Sequence, residues 1–208
     1  MPKIKPFEKH SDRYDEWFEK NRDVYHAEVE TIRQLTPVPP AKGLEVGVGS
    51  GKFAVPLGIK IGVEPSEQMA IKAEKQGIRV FRGVAENLPF PDSEFDFVLM
   101  VTTVCFVDDI LQSFKEACRV LKPGGCIIVG FVDKESKLGK EYSDKSNTSV
   151  FYKDATFFSA QEISGYLTDT GFENPVFKQT LIPGETREMI QDGFGKGAFI
   201  AAKGVKNG

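Results

Sequence analysis

The residues best suited to chemistry lie in the segment Lys42–Gly51, KGLEVGVGSG. Apolar residues alternate there with Glu45 and then lead into Gly47, Gly49 and Gly51, a pattern that indicates a buried strand entering a tight turn. Glycine suits this turn because it adopts positive φ and lets a ligand approach where a Cβ would collide. The helix predicted to follow the turn offers free N–H groups that favour an anionic group. The segment therefore predicts a nucleotide-type site.

A second acid stands at the end of the next predicted strand, residues 59–64. Glu64 follows Gly51 by 13 residues, and a carboxylate at such a strand tip can accept from two vicinal ribose hydroxyls. Taken alone, the glycine pattern is explained by an ordinary turn, and Glu64 is explained by a position on the protein surface. The two together, at this spacing, favour the nucleotide site.

Four motifs carry a resemblance to a known family. The pattern E-x-G-x-G-x-G followed by GVEPS resembles the class I S-adenosylmethionine-dependent methyltransferases, in particular the small single-domain type 11 group. The segments Arg82–Asp96 (RGVAENLPFPDSEFD) and Arg119–Gly125 (RVLKPGG) extend the resemblance over most of the chain. It implies S-adenosylmethionine as the cofactor and an α/β fold. The expected sheet is Rossmann-like, doubly wound, seven-stranded and mostly parallel, with an antiparallel last strand.

The resemblance also implies where the cofactor is bound. Tyr14 is expected at its methionine end, and the segment after the fourth strand is expected beside its sulfonium. The chain departs from the family pattern at Val84, where an aspartate usually accepts from the adenine amine. The backbone of Ala85 or the carboxylate of Glu86 would have to substitute. The expected cofactor-binding residues are Tyr14, Glu45, Gly47, Gly49, Gly51, Glu64, Pro65, Met69, Ala85, Glu86, Val101 and Thr102.

No catalytic base is evident in the sequence. Family members often carry histidine at positions that are Cys105 and Phe106 here, and a small buried thiol is the favoured interpretation of Cys105. Methyl transfer needs a base only if the acceptor arrives protonated, and His10, Asp12 and Tyr14 are weak candidates. No metal-ligand spacing stands out.

Strand-like and helix-like segments alternate from Lys42 onward, which predicts parallel βαβ units with ligand loops at the carboxyl ends of the strands. A capping box at Ser159 predicts a helix to Thr170, and two strands are predicted to close the domain. The predicted strands are 43–48, 59–64, 78–82, 95–101, 125–132, 173–181 and 197–203, and the helices between the first five are 52–57, 66–76 and 108–121.

The chain is expected to divide into an N-terminal helical segment, residues 1–40, and one Rossmann-like domain, residues 41–208. Helical character runs from Asp12 to about Leu35, and Pro37, Pro39 and Pro40 end it. Tyr14, Trp17 and Phe18 share one helical face. This face either packs on the core or caps the cofactor pocket as a lid, as the resemblance implies. Residues 133–157 are a predicted insertion on the substrate side.

Composition narrows the function further. The net charge is −3, without a basic block, which favours a small-molecule acceptor over a nucleic acid. Three cysteines without C-x-x-C spacing, and no apolar run long enough for a membrane span, favour a cytoplasmic protein. Two alternatives stay open, a nicotinamide-dependent oxidoreductase and a non-catalytic cofactor-binding protein. An RNA or protein methyltransferase is less favoured, and the oligomeric state is left undetermined.

Overall fold

The structure is a computed structural model that describes residues 3–38, 41–145 and 149–208. Two N-terminal helices precede a succession of strands and helices that alternate along the chain. The helices are α1 Lys5–Lys20, α2 Arg22–Arg33, α3 Ala54–Leu57, α4 Glu67–Lys75, α5 Ile110–Val120, α6 Lys137–Asp144 and α7 Ala160–Asp169. The strands are β1 Gly43–Val46, β2 Ile61–Val63, β3 Arg79–Phe81, β4 Phe95–Val101, β5 Leu121–Val132, β6 Phe172–Thr180, β7 Gln191–Asp192 and β8 Phe199–Lys206.

The strands form one mixed sheet in the order β3-β2-β1-β4-β5-β8-β6-β7. Strands β1 to β5 are parallel to one another, and β8 is antiparallel to both β5 and β6. This confirms the predicted α/β fold with an antiparallel last strand. The prediction of seven strands was wrong by one, because the short β7 pairs with the end of β6. That pairing lies in a segment without the strand periodicity that sequence analysis relies on.

Strand β4 carries the core on both of its faces, as its apolar sequence predicts. Val98 and Met100 belong to the core beneath α5 and α7. Phe97 and Leu99 belong to the core on the opposite face, with Ile32 of α2. This two-sided burial fixes the register of β4, since a shift by one residue would exchange its two faces.

The N-terminal segment forms two helices where the sequence predicted one helical stretch from Asp12 to about Leu35. Helix α1 begins earlier, at Lys5, and is kinked at His10. The chain leaves helical geometry at Asn21, where φ is −121° and ψ is 44°, before α2 begins. Pro39 and Pro40 lie outside the described residues.

Other predicted boundaries also shift. Helix α3 is a single turn that begins at Ala54, two residues after the predicted start of helix 52–57, and ends as predicted before Gly58, whose φ is 73°. Strand β5 starts at Leu121, four residues before the predicted start at Gly125. In the predicted insertion 133–157 the chain forms α6, while Ser146, Asn147 and Thr148 lie outside the described residues. The capping box that opens α7 at Ser159 is confirmed.

Candidate active site

A cavity of about 280 Å³ lies at the carboxyl edge of the sheet. The last residue of each of four neighbouring strands, Val63 of β2, Val46 of β1, Val101 of β4 and Val132 of β5, lines it. In this type of sheet, ligands bind outside the carboxyl ends of the strands, where the strand order reverses. Here the order reverses between β1 and β4, beneath the middle of the cavity.

Ten of the twelve residues predicted to bind the cofactor line this cavity. They come from α1, from the glycine turn and from the segments after β2, β3 and β4, which are far apart in sequence. The two exceptions are Glu45 and Gly51. The ten are Tyr14, Gly47, Gly49, Glu64, Pro65, Met69, Ala85, Glu86, Val101 and Thr102.

The glycine turn has two different structural requirements. A Cβ on Gly47, which has φ of 71°, would lie 2.5 Å from Oγ1 of Thr103, so the loop after β4 closes directly over the turn. A Cβ on Gly51, which has φ of 86°, would lie 2.6 Å from Cδ1 of Ile78. Gly51 therefore packs the turn against the protein core. The sequence predicted that Gly51 binds the cofactor, but Gly51 does not line the cavity.

Glu45 is also displaced from its expected position. Its neighbours in β1, Leu44 and Val46, belong to the core beneath α5 and α7, so alternation points Glu45 to the other face. The side chain is 1% exposed, and Oε2 has no hydrogen-bond partner among the described residues. Burial raises the pKa of this carboxyl well above its ordinary value, although the Ala54 N–H donates to it. Glu45 is therefore a buried carboxyl that does not itself line the cavity.

Glu64 is held at the cavity wall by two backbone donors. The N–H of Gly49 donates to Oε2 and the N–H of Ser66 donates to Oε1, each at 2.9 Å. The side chain is 6% exposed, and burial raises its pKa to about 7 despite these hydrogen bonds. A carboxylate oxygen has two lone pairs. Each oxygen of Glu64 therefore keeps one acceptor position for a second donor, such as a ribose hydroxyl.

The loop after β4 contains a residue in an unusual conformation. Thr102 has φ of 50°, which non-glycine residues seldom adopt. Its N–H donates to the Gly130 carbonyl at 2.8 Å, and the hydroxyl of Thr103 donates to the Val46 carbonyl at 3.1 Å. These bonds hold the loop across the ends of β1 and β5. Backbone strain of this kind is often found at functional sites.

On the opposite wall, the carboxylate of Glu86 binds backbone N–H groups of the segment that precedes α5. Its Oε1 accepts from the N–H groups of Asp108 and Asp109, at 2.7 and 3.2 Å, and so fixes the chain just before α5. Val84, at the position of the expected aspartate, lines the cavity together with Ala85. An adenine amine could donate here to two acceptors, the backbone carbonyl of Ala85 and the carboxylate of Glu86.

Of the three candidate bases from the sequence, only Tyr14 lines the cavity, and burial raises the pKa of its hydroxyl far above the ordinary value. His10 and Asp12 are exposed and do not line the cavity, and Asp12 pairs with Lys72 at 2.7 Å. The Cys105 thiol is buried and donates to the Thr102 carbonyl at 3.2 Å. Burial raises the pKa of Cys105 to about 12, so the thiolate that a nucleophile requires is disfavoured. The interpretation of Cys105 as a buried thiol agrees with this geometry.

Two residues that line the cavity were not expected from the sequence, Glu28 of α2 and Tyr142 of α6. Glu28 had a signal, because it stands four residues after Val24 and four before Ile32, on an otherwise apolar helical face. A charged residue on such a face faces the interior. Tyr142 had no comparable signal.

Polar contacts hold α1 over the cavity. Asp15 accepts from the hydroxyl of Ser50 at 2.5 Å and from Nζ of Lys72 at 2.7 Å. The carboxylate of Glu8 accepts from the Glu67 N–H at 2.5 Å. The inner face of α1 meanwhile presents Tyr14 and Phe18 to the cavity. Helix α1 is thus tied both to the glycine turn and to α4.

We expect Lys72→Met to weaken this attachment. The side chains of Lys72 and Asp15 are each 24% exposed and pair with one another, and a partly exposed pair contributes up to about 1 kcal/mol. Lys72 also pairs with Asp12, which is exposed. The dissociation constant of S-adenosylhomocysteine should rise by up to about fivefold, measured by calorimetry. Lys75→Met, an exposed change on the same helix, is the control. Equal affinity in wild type and Lys72→Met would show that these pairs do not support binding.

The described residues lack two other features. Among residues 3–38, 41–145 and 149–208, no group of three or more His, Cys, Asp or Glu side chains could hold a metal ion. Within the same ranges, no helix has the length and apolar character needed to cross a membrane.

Comparison with known proteins places the chain in a family. The type 11 methyltransferase-domain model matches residues 44–129. The crystal structure of an S-adenosylmethionine-dependent methyltransferase from Thermotoga maritima, a possible histamine N-methyltransferase, is 48% identical. It superposes with a TM-score of 0.93, and the match covers 97% of this chain and 98% of that one.

Two uncharacterised proteins are also similar over most of the chain. One from Methanocaldococcus jannaschii is 43% identical over 203 residues, which is 96% of this chain and 98% of the other. One from Mycobacterium tuberculosis is 35% identical over 201 residues, which is 92% of this chain and 70% of the other. The family model, the Thermotoga maritima structure and the cavity at the switch point agree. This chain belongs to the class I S-adenosylmethionine-dependent methyltransferases, in the type 11 group.

Proposed function

We propose that this protein transfers a methyl group from S-adenosylmethionine to a small molecule that enters the cavity beneath α1. The observation that carries the proposal is the single cavity that spans the ends of four strands from β2 to β5. One half then serves the cofactor and the other half the acceptor. When bound, S-adenosylmethionine supplies an electrophilic methyl group on a sulfonium.

The half over β1 and β2 suits the cofactor. Glu64 offers two acceptor positions for ribose hydroxyls, and Pro65 restrains its backbone to an extended conformation. A Cβ on Gly49 would come within 3.4 Å of Cε of Met69 and 3.7 Å of Oη of Tyr14. Glycine thus leaves a recess between these two side chains. Together with Ala85 from the far wall, these residues would hold the adenosyl group.

The half over β4 and β5 suits a small acceptor. It is bounded by Thr103, Phe106, Val132, Leu138 and Tyr142, and α1 covers the opening. In-line transfer requires orientation and a dry pocket, and the largely apolar lining of this half favours the exclusion of water. The volume and the net charge of −3 favour a small molecule over a nucleic acid. The Thermotoga maritima relative, a possible histamine N-methyltransferase, agrees with a small acceptor.

Segment 1–40 would then act as a lid. The kink at His10 divides α1, so the part that carries Phe7 could move separately from the part that Asp15 holds. The ring of Phe7 packs edge-on against Phe106, with centroids 5.0 Å apart. This packing closes the acceptor side of the cavity.

Calorimetric titration with S-adenosylmethionine, S-adenosylhomocysteine and NAD tests the cofactor assignment. We expect both adenosyl ligands to bind and NAD not to bind. The two alternatives that the sequence alone left open predict other results. A nicotinamide-dependent oxidoreductase would prefer NAD. A non-catalytic protein would bind the adenosyl ligands but release no S-adenosylhomocysteine with any acceptor.

We expect Tyr14→Phe to weaken cofactor binding modestly. The Tyr14 hydroxyl lies next to Gly49, and no hydrogen bond to it is seen within the described ranges, so it is available to a ligand. Loss of one hydrogen bond of about 1 kcal/mol corresponds to about a fivefold higher dissociation constant. Titration with S-adenosylhomocysteine measures the change. Unchanged affinity would mean that Tyr14 only packs against Phe18 and Phe151.

A further inference from the structure

Glu28 is a buried acid that the cofactor site does not use. It lies on α2, is 6% exposed and lines the cavity. No hydrogen bond or ion pair to its carboxylate is seen in the part of the chain that the structure describes. An isolated ionised carboxylate is costly to bury unless a partner compensates it. Glu28 therefore has the properties of a group whose partner is a ligand.

The topology puts Glu28 on the acceptor side. Helix α2 packs on β5, β6 and β8, whereas Glu64 follows β2. Since β1 and β4 separate β2 from β5, the two strands lie about 14 Å apart at a spacing of about 4.8 Å per strand. Leu138 and Tyr142 of α6 bound the same half of the cavity.

Aromatic rings complete the surroundings of this half. The rings of Tyr142 and Tyr152 stack with centroids 5.0 Å apart, and Tyr152 is stacked on Phe106 at 6.1 Å. Phe151 packs against Phe7 at 5.5 Å. Aromatic faces attract cations, most strongly in sites from which water is excluded. Lys3 and Arg13 also line the cavity, but neither forms an ion pair with Glu28 among the described residues. The unpaired carboxylate of Glu28, together with the aromatic walls, therefore favours a positively charged ligand.

We propose that the methyl acceptor is a small amine, protonated in solution, and that Glu28 binds its ammonium group and removes one proton from it. The proposal rests on the proposed function, because it names the substrate class of the same site. After deprotonation the nitrogen lone pair forms the N–C bond as the C–S bond breaks. The bonding electrons pass to sulfur, which becomes a neutral thioether. The methylated product leaves as an ammonium ion, and Glu28 releases its proton to solvent.

Burial supports the role of Glu28 as a base, because it raises the pKa of this carboxyl to about 8. A base that titrates near the working pH accepts protons efficiently. The titratable groups that the Glu28 charge affects are tyrosines, and the pKa of each is raised above 10. They therefore stay neutral while Glu28 titrates. They are Tyr14 of α1, Tyr25 of α2, Tyr142 of α6 and Tyr152 of the following segment.

The cofactor carries an ammonium group of its own, on its methionine end, and Glu28 could in principle bind that group. Affinity for S-adenosylhomocysteine shows whether Glu28 binds the ammonium group of the acceptor or that of the cofactor, because this ligand has the same ammonium group as the cofactor. If Glu28 binds the acceptor, Glu28→Gln should leave the dissociation constant of S-adenosylhomocysteine within about twofold of wild type. If Glu28 binds the cofactor, affinity should fall at least tenfold.

The experiment supplies saturating S-adenosylmethionine with histamine, tryptamine or phenethylamine, and with 2-phenylethanol as the uncharged comparison. Formation of S-adenosylhomocysteine and product mass are measured. We expect at least one amine, and not the alcohol, to be methylated. Glu28→Gln should lower kcat/KM by about 100-fold or more and remove the acidic limb of the pH profile of kcat/KM. Glu28→Asp should restore part of the activity and part of the acidic limb. Glu30→Gln is the control, since Glu30 is exposed on the same helix and pairs with Arg33.

Each contrary result has a distinct meaning. Turnover of the amines by Glu28→Gln at the wild-type rate would overturn the proposal, and so would loss of S-adenosylhomocysteine binding in that variant. Binding of S-adenosylhomocysteine by wild type without methylation of any of the three amines would also overturn it, leaving the proposed function intact. Failure of wild type to bind adenosyl ligands would instead refute the proposed function. Thermal unfolding verifies that each variant is folded.

Discussion

Glu64→Gln should raise the dissociation constant of S-adenosylhomocysteine by about 100-fold or more. Two hydrogen bonds from ribose hydroxyls to an ionised acceptor contribute about 1.5–3 kcal/mol each, which corresponds to more than a hundredfold. The amide of glutamine makes the site worse still. Its NH₂ group would face the N–H of either Gly49 or Ser66, both of which donate to Glu64 in the wild type, and two donors repel.

Calorimetric titration at pH 8 measures this loss, and Glu67→Gln is the matched control. Glu67 is close in sequence, but its carboxylate is exposed and binds Arg82. Its replacement should leave the affinity unchanged. Binding of S-adenosylhomocysteine by Glu64→Gln with wild-type affinity would mean that Glu64 serves only to hold the glycine turn.

The same residue gives cofactor binding a dependence on pH. Burial raises the pKa of Glu64 to about 7, and the ribose hydroxyls require the ionised form as acceptor. Below pH 7 the carboxylate must lose a proton before it can accept both hydroxyls, so affinity should fall by up to about tenfold per pH unit.

The free energy of unfolding of the ligand-free protein should fall as the pH rises from 6 to 8, and Glu28→Gln should remove much of that fall. Burial raises the pKa of Glu28 from 4.5 to about 8. Between these values the folded state holds a proton that the unfolded state has released. Stability therefore decreases with rising pH in this window, by up to about 1.4 kcal/mol per pH unit for one group. For Glu28 this gives about 2–3 kcal/mol between pH 6 and 8.

Urea denaturation at pH 6, 7 and 8 measures the effect. Glutamine at position 28 stays neutral, so the variant should lose less stability over this range and exceed wild type at pH 8. Glu64 and Glu45, whose pKa values burial also raises, leave a remaining slope in both proteins. Glu30→Gln should follow wild type. Identical slopes for wild type and Glu28→Gln would mean that water in the cavity solvates the Glu28 carboxylate.

The cofactor half of the site was predictable from sequence because its determinants are local. The strand, the glycine turn and the start of the helix lie within twelve consecutive residues, 43–54, and Glu64 follows the next strand by geometry that all parallel sheets share. Backbone conformation at Gly47 and the position of a strand tip depend mainly on neighbouring residues. The order of the first five strands follows from the same right-handed βαβ connections.

Other features depend on contacts between distant segments. Alternation along β1 points Glu45 to the face of the sheet opposite Leu44 and Val46, and the motif does not indicate whether its side chain reaches the cavity. Gly51 meets Ile78 of a later segment, and the carboxylate of Glu86 is engaged by the start of α5. A role assigned from a motif does not anticipate such partners.

The acceptor half is the part that tertiary structure created. Glu28, Phe106, Tyr142 and Tyr152 come from a helix near the N-terminus, the loop after β4, α6 and the segment beyond it. Each has an ordinary interpretation in isolation, as a helical acid or a core aromatic residue. They meet only because α1 covers the carboxyl edge of the sheet, α2 packs on β5, β6 and β8, and α6 bounds the cavity on the β5 side. The local sequence therefore identified the cofactor, whereas long-range packing shaped the pocket that selects the acceptor.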